Sequence, residues 1–296
     1  SLELDDLIDC NIGNGRTVNV EYVSANPTGP LHIGHCRGAV FGDVLSNLLQ
    51  KTGHQVTKEY YINDAGSQIK NLTNSVFIRY QELIGKKFSE YPDDFYPGDY
   101  LMPVAQHFAS TYDSKLLEMN DEERFLLIKP FTINFMMDLI KDDLAAISIH
   151  QDIFISEQDL VSNGKIDEAI KALKKSNLIY EGVLEPPKGK KPDDWEPRPQ
   201  MLFKSTKYGD EVDRPLQKSN KEWTYFANDI AYHFDKYQRG SKHLVDILGA
   251  DHGGYVKRMT AAVAALSDNR ASFTAKLCQM VKLTRNGKQI KMSKRS

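Results

Sequence analysis

The chain is 296 residues long, with 41% hydrophobic, 26% charged and 10% aromatic residues, a balance that suits a sizeable folded core and excludes collagen-like, disulfide-scaffold and wholly disordered classes. Its 38 Lys plus Arg against 40 Asp plus Glu leave a net charge of −2, so no global field would hold a polyanion and any nucleic-acid contact must be local. The longest apolar run, Ala261 to Leu266, falls far short of the ~20 residues a membrane helix needs, and the opening residues show no signal pattern. The three cysteines, Cys10, Cys36 and Cys278, are odd in number and widely spaced, which fits neither a disulfide framework nor a cysteine zinc cluster. A reducing, cytoplasmic setting without membrane contact is expected.

Residues 1–16 are polar and carry the turn sequence Asn11-Ile12-Gly13-Asn14-Gly15, so they read as a linker or the remnant of an upstream domain. Val18, Val20 and Tyr22 alternate with Asn19 and Glu21 in strand period, and Pro27, Gly29 and Pro30 then force a loop. From His32 the period becomes helical through Val40, Phe41, Val44, Leu45, Leu48 and Leu49, and Gly53 follows. A second strand is predicted over Val56–Ile62, and a helix over Ile69–Leu83. Residues 17–85 thus form a β-α-β-α half of a doubly wound sheet.

Residues 86–222 read as a mixed α/β insertion, with helices around Tyr100–Ser114 and Glu122–Ile147, a strand at Ile153–Ile155 and a helix carrying Ile166, Ile170 and Leu173. Five prolines between Pro186 and Pro199, with Lys188, Lys190 and Lys191 among them, mark an exposed extended segment. Alternation returns over 223–284: a strand at Trp223–Phe226, a helix at Asp229–Gln238, a strand at Leu244–Leu248, a helix at Tyr255–Leu266 and a strand near Cys278–Leu283. Residues 285–296 close the chain as a basic loop. The fold class is therefore α/β: a split, Rossmann-like, doubly wound parallel sheet serving as a nucleotide-binding domain, interrupted by the insertion.

Two segments carry the chemistry. Pro27-Thr28-Gly29-Pro30-Leu31-His32-Ile33-Gly34-His35 lies between the first strand and the first helix, where a free helix N-terminus suits phosphate. His32 and His35 are one turn apart and can point the same way, while Gly34 lets a flat base approach. A metal site built on His32, His35 and Cys36, or a plain polar helix cap, uses the same residues. The second segment, Lys291-Met292-Ser293-Lys294-Arg295, follows an Asn286-Gly287 hairpin signal in a stretch from Lys282 to Ser296 with six basic residues and no acidic one; a solvated tail is its plain alternative. After opposite ends of a split sheet, the two would meet across the switch point as halves of an ATP site.

These two segments resemble the HIGH and KMSKS signatures of class I aminoacyl-tRNA synthetases. The stretches Val20-Glu21-Tyr22-Val23-Ser24-Ala25-Asn26, Tyr61-Ile62-Asn63-Asp64-Ala65-Gly66, Tyr96-Pro97-Gly98-Asp99-Tyr100 and Ala231-Tyr232-His233 are similar to the bacterial arginyl-tRNA synthetase family in particular, over nearly the whole chain. Arg295 stands where the family signature has serine. The family also carries an N-terminal domain and a C-terminal anticodon-reading domain, so the chain is expected to be a catalytic-core fragment.

The resemblance implies an arginine-tRNA ligase that activates L-arginine with ATP, accompanied by Mg2+ as co-substrate, and transfers it to tRNA(Arg), as a monomer and without a structural metal. His32, His35, Lys291 and Lys294 would be the catalytic, phosphate-facing groups. Pro30, Leu31, Gly34, Asp251, His252, Gly253, Gly254, Met292 and Ser293 would join them around ATP. Glu21, Tyr225 and Asp229 would line the arginine side-chain pocket, because a guanidinium pairs bidentately with carboxylate, and Ser24, Asn26 and His252 would lie near the α-amino end. Asp229 is also a plausible N-cap and Tyr225 a plausible strand aromatic. A small-molecule HxGH nucleotidyltransferase and a non-catalytic arginine- or ATP-binding core are the competing readings; arginine-dependent pyrophosphate exchange separates the two enzymes, and calorimetry with arginine, lysine and citrulline addresses the binding core.

Overall fold

A computed structural model describes residues 10–184, 198–218 and 220–290. The elements in chain order are β1 (Thr17–Glu21), α1 (Ile33–Lys51), β2 (Gln55–Ile62), α2 (Ser67–Leu83), α3 (Met102–Tyr112), α4 (Asp121–Ala146), β3 (Ile153–Ser156), α5 (Glu157–Ser162) and α6 (Lys165–Lys175). They continue with β4 (Ile179–Gly182), β5 (Gln200–Phe203), β6 (Arg214–Pro215), α7 (Tyr225–Gln238), β7 (His243–Gly249), α8 (Gly253–Ser267), β8 (Ser272–Cys278), β9 (Leu283–Arg285) and β10 (Lys288–Ile290). The described residues fall into two compact units: one from the described residues of 10–22, 41–60 and 152–279, the other from those of 23–40, 61–151 and 280–290.

The first unit holds a five-stranded sheet of order β3-β2-β1-β7-β8, in which β1 pairs in parallel with β2 and β7, and β7 with β8. This is the doubly wound arrangement that alternating strands and helices predict. The order reverses at β1, so the switch point lies beyond the carboxyl ends of β1 and β7. Ile230, Ala231, Leu244, Met259 and Val263 are among the buried residues of its core, and β4-β5-β6 form a small antiparallel sheet. The second unit is mainly helical, with Leu72, Val76, Tyr80, Val104, Phe108 and Met136 among its core residues, and β9 and β10 form an antiparallel hairpin. Asn286 and Gly287 both have positive φ, 51° and 74°, as a two-residue hairpin turn requires.

Two local expectations are corrected, and the packing face of α1, which the period leaves open, is decided by the structure. The aromatic run Trp223–Phe226 is not a strand: Thr224 Oγ1 accepts the Ala227 N–H and caps α7, which already begins at Tyr225, so a hydroxyl ahead of a helical run outweighs aromatic strand preference. The last strand of the sheet ends at Cys278 rather than beginning there; Phe273, Ala275 and Leu277 supply its alternation. The apolar face of α1 also points outward. Val40, Phe41, Val44 and Leu48 are exposed, while Ala39, Gly42 and Ser46 are buried. A β-carbon on Gly42 would stand 2.3 Å from the Tyr22 ring, so close approach, for which only small residues leave room, decides which face turns inward.

Candidate active site

The second unit contains the loop from β1 to α1. It leaves the strand through Val23, whose φ of 66° is a strained conformation for a β-branched residue. Ser24 Oγ accepts the Tyr61 N–H at 3.0 Å, and Asn26 Nδ2 donates to Gln68 Oε1 at 2.9 Å. Gly29 has φ 147°, and a β-carbon there would come within 2.8 Å of the Tyr100 ring; the Tyr100 hydroxyl donates to the Thr28 carbonyl at 3.0 Å. After Pro30, the Leu31 N–H donates to Asp143 Oδ2 at 2.7 Å. The loop is thus held by a tyrosine from the Tyr96–Tyr100 stretch and a carboxylate of α4.

His32 and His35 stack with ring centroids 3.9 Å apart and 18° between planes. Gly34 N–H donates to His32 Nδ1 at 3.1 Å, and His32 N–H to His35 Nδ1 at 3.2 Å. A ring nitrogen that accepts carries no proton, so both rings, when neutral, carry it on Nε2. The backbone of the first turn therefore sets the tautomer and aligns two Nε2–H groups, a geometry suited to donating toward phosphate oxygens.

The first unit contains the acidic cluster. Glu21 ends β1, and its register partners are Glu59 on β2 and Asp246 on β7, so three carboxylates stand in one row across adjacent parallel strands. All three are buried, and helix α7 supplies the opposing charge. Lys236 Nζ donates to Glu21 Oε2 at 2.6 Å and to Asp246 Oδ1 at 3.1 Å. Arg239 Nη2 meets both oxygens of Glu59 at 2.9 Å. His233 Nε2 lies 2.9 Å from Asp246 Oδ2 and Nδ1 lies 2.8 Å from the Asp229 carbonyl. Both ring nitrogens face oxygen atoms, one of a side chain and one of the backbone.

Burial raises the Glu21 carboxyl above its ordinary range, with Lys236 opposing and Asp246 reinforcing that rise. Burial would raise Asp246 as well, but Lys236 and His233 outweigh it and hold that carboxyl at about 2. Asp229 is half-buried on α7, and desolvation, only partly opposed by His233 and Arg258, pushes its carboxyl up to about 7. Glu21, His233 and Asp246 also place one ligand atom each within 4.8 Å of one another, a spacing that could hold a metal ion, yet the Lys236 ammonium already supplies a cation to both carboxylates.

The structure thus brings Glu21 and Asp229 into one charged neighbourhood. Tyr225, one turn before Asp229, is 78% exposed with Lys218 Nζ 5.7 Å above its ring. Asp251 and His252 are exposed in a 3-10 turn, 3.7 Å apart, and Gly253 and Gly254 open α8. Lys291, Met292, Ser293, Lys294 and Arg295 lie outside the described residues, as do Lys188, Lys190 and Lys191. Asp143, Lys236 and Asp246 escape a motif-based reading. Asp229, His233 and Lys236 recur at helical spacing on α7, and that pattern is the available signal.

Solved structures share this fold. A Campylobacter jejuni chain provisionally described as an arginyl-tRNA synthetase superposes with a TM-score of 0.79 at 35% identity, covering 98% of this chain and 60% of that one. The Thermus thermophilus arginyl-tRNA synthetase, at 17% identity and a TM-score of 0.61 over 88% of this chain and 49% of its own, supports the fold alone. A family model described as the catalytic domain of class I tRNA synthetases (R) matches residues 2–259, and the chain belongs to that family. The curated arginine–tRNA ligases of Paracoccus denitrificans and Roseobacter denitrificans are 55% and 56% identical over 285 and 286 residues, which are 96% and 97% of this chain. The chain spans about half the length of these relatives, 49% in each case.

Proposed function

We propose that this chain carries the catalytic centre of an arginine-tRNA ligase, which joins L-arginine to tRNA(Arg) at the expense of ATP. Family membership sets the reaction class, and the observation that carries the choice of amino acid is the pair Glu21 and Asp229 in one charged neighbourhood. A guanidinium is a permanent planar cation that two carboxylates hold bidentately. Tyr225, on the same helix face as Asp229, would cover its plane, with Ser24, Asn26 and His252 toward the α-amino group.

In the first step the arginine carboxylate attacks the α-phosphorus of ATP, and pyrophosphate leaves. In the second, the terminal ribose hydroxyl of tRNA attacks the mixed anhydride and AMP departs. Charge gathers on phosphate oxygens, so positioned donors carry the catalysis; we assign that role to the Nε2–H groups of His32 and His35 together with Lys291 and Lys294. Pro30, Leu31, Gly34, Asp251, Gly253, Gly254, Met292 and Ser293 would frame the nucleotide. Magnesium carried by ATP would screen the phosphates. We further propose a cytoplasmic, monomeric enzyme; among the described residues no helix is long and apolar enough to cross a membrane.

The test is pyrophosphate exchange by the complete natural protein in the presence of tRNA. Exchange that depends on arginine supports the reading. Exchange driven by another carboxylic acid, with arginine inert, overturns it.

A further inference from the structure

Lys236 is fully buried, an expensive place for an ammonium unless its partners are fixed. Those partners join the Glu21 carboxylate to the backbone of Asp229. On one side the ammonium donates to Glu21 at 2.6 Å; on the other it donates to Asp246, which in turn holds His233 at 2.9 Å, and His233 holds the Asp229 carbonyl at 2.8 Å. The Lys236 ammonium also sits 4.3 Å from the centre of the Tyr232 ring, a cation–π contact that fixes its height above the sheet. Lys236, Asp246 and His233 need not touch a substrate themselves for these contacts to matter. A carboxylate flanked by Asp246 and Glu59 in the same strand row has reason to turn away or to take up a proton, and the ammonium opposes both.

We propose that Lys236 is a positioning residue for arginine recognition: its ammonium holds the Glu21 carboxylate in one orientation and, through Asp246 and His233, ties that orientation to the backbone of Asp229. The inference rests on the arginine reading of the site and deepens it. Lys236 acts on the amino-acid half of the reaction and leaves ATP binding alone, because its contacts run to β1, β7 and its own helix. It also sets the ionisation of Glu21. The groups around that carboxylate include Lys236, His233, Tyr232 and Asp229 from α7, Asp246 from β7, Glu59 from β2 and Tyr255 from α8; Lys236 donates directly to it at hydrogen-bond distance.

The test is exchange kinetics on the complete natural protein with Lys236→Ala, with and without ethylammonium. The expected result is an arginine KM raised about tenfold or more with ATP KM within about twofold, an acidic limb of the arginine kcat/KM profile moved to higher pH, and partial return of arginine KM on adding ethylammonium but not choline. The nearly isosteric Asp246→Asn, which cuts the link to His233, should raise arginine KM several-fold and likewise spare ATP; it decides the matter if Lys236→Ala does not fold. An arginine KM unchanged in these variants, or arginine and ATP KM rising together without rescue, overturns the proposal while leaving the ligase reading intact. An unaltered protein that fails to use arginine overturns both.

Discussion

Glu21 and Glu59 are register partners on adjacent parallel strands, two buried carboxylates side by side with Asp246 completing the row on the next strand. Like charges so placed repel, and Lys236 on α7 and Arg239, the residue that follows its last turn, face and offset them. The stability of the first unit should therefore depend on charge pairing more than on the carboxylates themselves. Arg239→Met leaves the fully buried Glu59 without its guanidinium and should cost about 3–5 kcal/mol. Adding Glu59→Gln to that variant should recover much of the loss. A double-mutant cycle by urea unfolding measures the coupling, and strictly additive losses would contradict it.

The arginine contact proposed for Asp229 would make recognition depend on pH. Its carboxyl is raised from an ordinary 3.8 to about 7, so between these values the folded chain holds a proton that the unfolded chain has lost, and stability falls as pH rises through that window. Asp229→Asn removes this dependence and should be more stable than the unaltered protein at pH 8, by about 1–3 kcal/mol once partial exposure is allowed for. A guanidinium needs the ionised carboxylate, so arginine affinity should rise from pH 6 to pH 8. Calorimetry at pH 6.5 in buffers of different ionisation enthalpy should record proton release on binding, and zero release would refute the coupling.

Removing the Lys236 side chain leaves Glu21, His233 and Asp246 around a vacated cation position, with ligand atoms within 4.8 Å of each other. Two carboxylates and an imidazole are competent Zn2+ ligands. Zn2+ in 100-fold excess over its Kd should raise the Tm of Lys236→Ala by about 5 °C relative to its effect on the unaltered protein. Equal shifts in both would show that the metal binds elsewhere.

The loop that carries His32 and His35 is braced by Tyr100. Gly29→Ala places a methyl group against that ring in a conformation L residues rarely adopt, and should lower exchange activity by about a hundredfold with a loss of about 1–3 kcal/mol in stability. Tyr100→Phe, which deletes the hydrogen bond to Thr28, should cost about 1 kcal/mol. Thermal unfolding and kinetics of the two variants, compared together, rank the steric brace above the polar one.

The inverted face of α1 is tested most simply. Leu48→Ser and Val44→Ser alter exposed positions and should change stability by no more than about 0.5 kcal/mol. Gly42→Ala, one methyl group against Tyr22, should cost several times as much. The reverse order would mean that the apolar stripe faces inward.

That helix also shows how far sequence reasoning reached. Period alone locates α1, and the turn chemistry of Asn286-Gly287 locates the final hairpin, because both depend on neighbours a few residues apart. The histidine pair was legible for the same reason: three residues of separation at a helix start bring both rings to one side. Period could not choose which face of α1 packs, since that depended on a glycine meeting Tyr22 from another element. Nor could it separate strand from cap at Trp223–Phe226, where one hydroxyl bond to Ala227 decided the matter.

By itself, then, the amino-acid order determined the alternating strands and helices, the glycine and proline loops, and the presence of Glu21 at the end of β1 and Asp229 on the helix after Thr224. Those features follow from torsional preference and short-range periodicity. Only the tertiary structure decided that Glu21, Glu59 and Asp246 share one register row, and that Lys236, 215 residues along the chain from Glu21, supplies the cation they need. Strand order and register bring distant segments within a few ångströms, and ionisation and side-chain orientation respond to that distance in space, about which separation along the chain carries no information.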